Sequence, residues 1–249
     1  MVTSQKTGSS SYKDARFTTT HWSVVLEAGS PDSPHQKEAL ETLCRIYWYP
    51  LYAYLRRDGY NTDDAEEHTQ AFFAHIVEKE FLSKIEPKPA KFRSFLLIAL
   101  KHFLIDKFHH IAATKRGGEK KRLPLDFGNG EKRYTLEPSH NLSPEKIFER
   151  SWALTLLDTT LKRLETEMAS MNKQQSFNAL RNHLCGNTDR VSYKDIAVRL
   201  GKTEAAVKVT VYRLRKRFRE ILREEISQTV DSSDRIEEEL RALRTALTG

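Results

Sequence analysis

The sequence predicts an all-α protein, with two small helical domains joined by a flexible linker and a helix-turn-helix in the second. Three observations predict it. Apolar residues recur at spacings of three and four along most of the 249 residues. No segment alternates apolar and polar residues over the length of a strand. One segment, 191–218, combines two helix caps, a glycine turn and a basic outer face.

The elements follow in chain order. Residues 1–16 are Ser, Thr, Lys and Gly with little to bury, which reads as a mobile arm. From about Gln36, Leu40, Leu43, Tyr47, Leu51 and Leu55 form one helical face. Pro50 is expected to kink or interrupt that helix near Tyr49, because proline lacks the amide donor and crowds the preceding turn. Gly59 and Asn61 mark a turn, and Thr62 or Asp63 is expected to cap a helix that buries Ala65, Thr69, Phe72, Phe73, Ile76 and Val77. Ser83–Ala90, with Pro87 and Pro89, reads as a loop. Phe92–Phe108 is apolar nearly all round, the pattern of a helix embedded among others.

Gly128, Asn129, Gly130, Pro138 and Asn141 make 123–143 loop-like, and the domain boundary is expected there. The expected division is therefore a first domain over 17–122, the linker, and a second domain over 144–225. Ser143-Pro144-Glu145 is a helix start, with serine as N-cap and proline in the first helical position. Phe148, Trp152, Leu156, Leu157, Leu161 and Leu164 continue that helix, and another carries Phe177, Leu180 and Leu184. Over 226–249, Ile236, Leu240, Leu243 and Leu247 predict an acidic amphipathic helix. It would either pack on the second domain or screen the basic helix before it.

Charge is distributed in blocks. The formal net charge is +7 and the pI about 9.3, the footprint of a nucleic-acid binder. Residues 58–80 carry seven acids against Lys79, whereas 84–122 carry eleven bases against three acids. Residues 202–223 carry eight bases and two acids, and 224–249 turn acidic again. A single block is ordinarily a solvated face. Two basic blocks on helices, separated by acidic ones, point to a polyanionic partner together with a cationic one. No apolar run reaches the length of a membrane span, and the first residues lack the apolar core of a secretion signal, so a cytoplasmic setting is expected. Cys44 and Cys185 stand far apart without metal-ligand companions, which argues against a disulfide framework and a zinc site.

The sharpest local signal is the helix-turn-helix. Ser192 caps a first helix with Asp195 three residues on; Ile196, Ala197 and Leu200 face inward. Gly201 permits a left-handed turn, Thr203 caps the second helix, and Val207 and Val211 anchor it. The DNA-binding candidates of the second helix are then Thr203, Glu204, Ala205, Lys208, Val209, Thr210, Tyr212, Arg213 and Arg215, followed by Lys216, Arg217 and Arg219 as phosphate contacts.

Ser192-Tyr193-Lys194-Asp195-Ile196-Ala197, Leu200-Gly201, Thr203-Glu204, Val207-Lys208 and Arg213–Arg217 closely resemble the last conserved region of sigma factors. Upstream, Asp64-Ala65-Glu66-Glu67-His68-Thr69-Gln70 with Phe73 is similar to a segment of the extracytoplasmic-function (ECF) sigma factors. Phe92-Arg93-Ser94-Phe95-Leu96 through Asp106 is similar to their promoter-melting helix, with Phe95 in place of the usual tryptophan and His102 in place of asparagine. The matches fall in the family's order over about 36–222, and Thr18–Val25 with Tyr47–Pro50 resemble a subgroup with a longer amino end.

The resemblance implies a non-enzymatic transcription initiation factor without a cofactor. Its partners would be core RNA polymerase, through the β′ clamp helices and the β flap, and promoter DNA. An anti-sigma protein or a regulatory kinase is the implied class of antagonist. Asp64, Glu67, Gln70 and Phe73 would meet the polymerase, although the acids also favour a helix N-terminus on their own account. Lys84, Lys88, Lys91 and Arg93 would hold an opened strand at the −10 element, with Phe92, Phe95, Lys101 and His102 beside it. For either Phe92 or Phe95 alone, packing in the core of so apolar a helix is the reading to prefer. The helix-turn-helix would read the −35 element through Lys208, Arg213 and their neighbours, and 123–143 would thread toward the polymerase active site.

Two other classes compete. A metal-dependent DNA-processing enzyme would use Asp63, Asp64, Glu66 and Glu67, but consecutive carboxylates on one helix point around it rather than converging. A stand-alone helix-turn-helix regulator with a sensing domain explains 190–223 but not the ordered upstream matches.

Overall fold

A computed structural model describes residues 25, 27–30, 32–78, 82, 92–113, 127–136, 141–184, 192–227 and 234–248. Among these residues every regular element is helical and none is a strand: the protein is all-α. No described helix is long and apolar enough to cross a membrane. The arm at 1–16, Lys84, Lys88 and Lys91 of the proposed strand-holding loop, and Cys185 lie outside the described residues.

Helix α1 (Gln36–Arg57) is the centre of the first core. Its residues from Tyr49 to Leu55 are buried on every face; α2 (Thr62–Glu78) packs on it, and α3 (Phe92–Ala113) joins the same core. The helix runs without interruption through Pro50, so of the two expected effects the interruption does not occur. A helix-interior proline costs about 3 kcal/mol, and burying Tyr49, Leu51, Tyr52 and Leu55 against neighbouring helices offsets more than that. The cap of α2 is Asn61 rather than Thr62 or Asp63: its Oδ1 accepts the Asp64 amide at 2.8 Å while its Nδ2 donates to the Asp64 carboxylate at 2.8 Å. Ala65, Thr69, Phe72, Phe73 and Ile76 are buried as expected, but Val77 is exposed.

The segment expected as a flexible linker contains a further helix, α4 (Phe127–Leu136), docked on α1. Composition argued for a loop because Gly128, Asn129 and Gly130 are poor helix formers. Tertiary contacts outweigh that preference. Gly130 lies flat on Trp48, so close that a Cβ there would stand 2.8 Å from the indole ring. Glu131 takes a two-pronged pair of hydrogen bonds from Arg56 at 2.9 and 3.0 Å, and Tyr52 donates its phenol proton to the same carboxylate. Those bonds hold the Glu131 carboxyl below the usual glutamate range, burial opposing them only partly. Arg56 also covers the ring of Tyr134, and Arg133 covers that of Tyr49 at 4.0 Å.

Helix α5 (Pro144–Ser170) begins as the sequence predicts, with Ser143 Oγ accepting the Lys146 amide at 3.3 Å and Pro144 in the first turn. The sequence reading puts 144–225 in a second unit, but the first half of α5 packs elsewhere. Ile147, Phe148, Trp152 and Leu156 belong to the core built on α1. Leu164 and Met168, further along the same helix, belong to a second core with Phe177 and Leu180 of α6 (Gln174–Leu180). That second core is closed by α7 (Tyr193–Leu200) and α8 (Glu204–Ser227), whose far end returns Leu222 and Ile226 to the first. The last helix, α9 (Asp234–Thr248), lies on α5 and α8 and buries Leu243.

Gly130→Ala tests the docking of α4. The methyl group must displace the Trp48 ring, and the variant should lose about 1–3 kcal/mol in urea unfolding, with faster amide exchange over 127–136.

Candidate nucleic-acid interface

The helix-turn-helix is built by local chemistry. Ser192 Oγ accepts the Asp195 amide at 3.1 Å and donates to the Asp195 carboxylate at 2.7 Å, so both residues of the predicted capping box are engaged. At the other end of α7, Gly201 adopts φ 61° and ψ 37°, and the Lys202 and Gly201 amides close back onto the Ala197 and Val198 carbonyls at 2.9 and 3.2 Å. That left-handed turn strains any residue with a Cβ. Three residues later the chain is helical again, with Thr203 Oγ1 accepting the Ala206 amide at 3.2 Å. Ile196 and Ala197 of α7 and Val207, Val211 and Leu214 of α8 are buried together. The small side chain of Ala197 suits the close crossing of the two helices.

This packing sorts the predicted recognition residues into two groups. Thr203, Glu204, Ala205, Lys208, Val209, Tyr212, Arg213 and Lys216 are exposed, and Thr210 is half-buried with its hydroxyl bonded to the Ala206 carbonyl at 2.8 Å. Glu204 pairs with Lys208 at 2.7 Å, and that bond raises the lysine pKa. Arg215 and Arg217, both expected on DNA, are turned inward. Arg215 donates two hydrogen bonds to the His183 carbonyl, at 2.7 and 3.1 Å. Arg217 makes a two-pronged bond to Glu167 of α5 at 2.7 and 2.8 Å and reaches Glu220 and Glu224 as well. Arg163 of α5 answers from the other side, bonding Glu225 at 2.8 Å and Glu224. The basic run of α8 thus doubles as the fastening between α8 and α5.

Of the predicted strand-capturing residues on α3, Phe92 and Arg93 are inside. Phe92 is in the first core, stacked with Phe95 and edge-on to Tyr47 at 5.5 Å. Arg93 is only 4% exposed. It bonds Glu149 of α5 at 2.8 Å and Glu239 of α9 at 2.6 Å, with its guanidinium 3.9 Å above the ring of Trp152. Burial disfavours that charge, but the two carboxylates outweigh it and the arginine pKa is raised. In this conformation neither Phe92 nor Arg93 reaches solvent to meet a strand: for Phe92 the core alternative holds, and for Arg93 this corrects its expected place. Phe95 is half-buried, Lys101 is paired with Glu145 at 2.8 Å over the ring of Tyr54, and His102 is exposed.

On α2, Asp64 and Glu67 are exposed and Gln70 half-buried, but Phe73 is 3% exposed and packs in the core, so it is not part of an outer contact. Asp64 serves the Asn61 cap, and Glu67 bonds Lys107 of α3 at 3.0 Å. The sequence reading missed Glu149, Trp152 and Glu239. A signal for Glu239 was present: it lies three residues after Ile236 and four before Leu243, on the apolar stripe of α9, where a carboxylate needs a buried cation. The tail's acids Glu239 and Glu237 accordingly meet Arg93 and Arg223.

Comparison with family models, with curated proteins and with solved structures returned no match.

Replacing Gly201 with alanine should cost the second core about 1 kcal/mol or slightly more, read in urea unfolding by the exchange of α8 amides. Gly201→Asn should lose less, since asparagine tolerates the left-handed region.

Proposed function

We propose that the protein is a promoter-recognising transcription initiation factor of the sigma type, which works in the cytoplasm with core RNA polymerase. The observation that carries this is the capped, glycine-turned helix pair α7–α8, whose second helix holds its apolar side in the core and its basic side in solvent. The ordered resemblances at 64–73 and 92–106 add the polymerase to the DNA. The exposed carboxylates of Asp63, Asp64 and Glu67 at the start of α2 offer a surface to a cationic helix pair of the kind the resemblance implies.

In this reading the exposed ends of Arg213, Lys216 and Arg219 neutralise phosphates and set the register of α8 in the major groove. Arg217 fixes the helix on α5, and Arg215 holds it to the turn at His183, rather than touching the duplex. A −10 contact would draw on the exposed His102, the half-buried Phe95 and the segment 84–91. It would gain Arg93 only if α9 left its place.

Run-off transcription with purified core polymerase on genomic fragments tests the proposal. A polymerase-dependent product with a defined start is expected, and its absence contradicts the reading. Gel shifts separate this from a stand-alone regulator: the proposal requires tight promoter binding only with core polymerase, the regulator binds without it. Arg213→Ala should weaken binding across sequences and reduce the salt slope by about one.

A further inference from the structure

The face that α8 turns to solvent is not uniformly polar. Ala205, Val209 and Tyr212 follow one another at intervals of four and three, on one side of the helix. All three are exposed, Val209 at 48% and Tyr212 at 67%. They are not overflow from the core, because Val207, Val211 and Leu214 fill the inner side. Exposed cations flank the stripe: Lys202 before it, Arg213 beside it and Lys216 beyond it. An apolar stripe framed by positive charge is complementary to a groove that is apolar at its floor and anionic at its rims.

In the major groove of a duplex, the one apolar group on a base edge is the C5 methyl of thymine. The commonest alternative readout, a bidentate arginine on guanine, is not offered here by Arg215 or Arg217. Both guanidiniums are spent on His183 and Glu167. Nor is the Lys208 ammonium unengaged, since Glu204 holds it at 2.7 Å. From Ala205 to Tyr212 the helix rises about 10 Å, which matches about three base-pair steps of 3.4 Å.

We propose that Ala205, Val209 and Tyr212 form a thymine-methyl reader, so that the site under the first turns of α8 is a short A·T tract selected by apolar contact. This inference rests on the DNA-binding reading of α7–α8 and specifies what that surface reads. The cations around the stripe supply affinity, and the stripe supplies the choice of sequence.

The test begins with selection from a random duplex pool by the full chain, with and without core polymerase. Thymines of the enriched site are then replaced one by one with deoxyuridine, which removes the methyl group and nothing else. Two or three thymines should each cost roughly fourfold in affinity when demethylated, the equivalent of exposing one buried CH2-sized group. Val209→Ala should abolish the penalty at one of these positions and Tyr212→Ala at another; both side chains are exposed, so the variants keep their fold. Equal affinity for the thymine and uracil duplexes, or a selected tract of G·C pairs under α8, overturns the inference while leaving DNA binding standing. Enrichment of no sequence at all overturns the DNA-binding reading and the inference with it.

Discussion

One buried cation ties three distant parts of the chain together. Arg93 enters from α3, Glu149 from α5 and Glu239 from α9, and Trp152 closes the guanidinium from above. Taking these charges out of water costs several kcal/mol per ion, and only complete pairing repays it. The cluster therefore does less for net stability than for arrangement: any packing that separates α9 from α3 leaves a carboxylate or a guanidinium stranded. Glu149 is the more solvated of the two acids and can tolerate the loss of its partner, whereas Glu239, 2% exposed, cannot. The position of α9 is thus set by Glu239, with Leu243 and the bond from Arg150 to the Leu247 carbonyl at 2.8 Å adding to it.

Helix α5 carries the same constraint lengthwise. At 27 residues it spans about 40 Å, enough for its first turns to sit in the core of α1 and its last turns in the core of the helix-turn-helix. Arg163 and Arg217 fasten α8 along it through a shared group of carboxylates. The exposed face of α8 is consequently presented by one continuous helix rooted in the first core. The proposed reading face is thereby fastened to that root, and a fixed support is what a contact specific to single methyl groups requires.

Features whose cause is local were legible in the sequence. The caps at Ser143, Ser192 and Thr203, the left-handed turn at Gly201 and the burial of Val207 and Val211 follow from neighbours a few residues away. Features decided by distant partners were not. Helix α4 forms although Gly128 and Gly130 argue for a loop, because Trp48, Tyr52 and Arg56 are waiting on α1. Pro50 is tolerated because the residues around it are buried on all sides. Arg93 looked like a surface cation because its partners lie 56 and 146 positions away. The candidate reading face was legible as a set of residues, but which arginines point outward was decided by His183 and Glu167.

A double-mutant cycle on Arg93 and Glu239 measures the central constraint directly. Arg93→Met, Glu239→Leu and the double variant are compared by urea unfolding. Arg93→Met should cost about 3–5 kcal/mol, since it strands the buried Glu239 carboxylate, and Glu239→Leu should cost less, because Glu149 still pairs with the guanidinium. The double variant should recover much of that loss, giving a coupling well above 1 kcal/mol. Effects that add to within about 0.5 kcal/mol would show the two residues to be independent, and the proposed origin of the fold's arrangement would be contradicted.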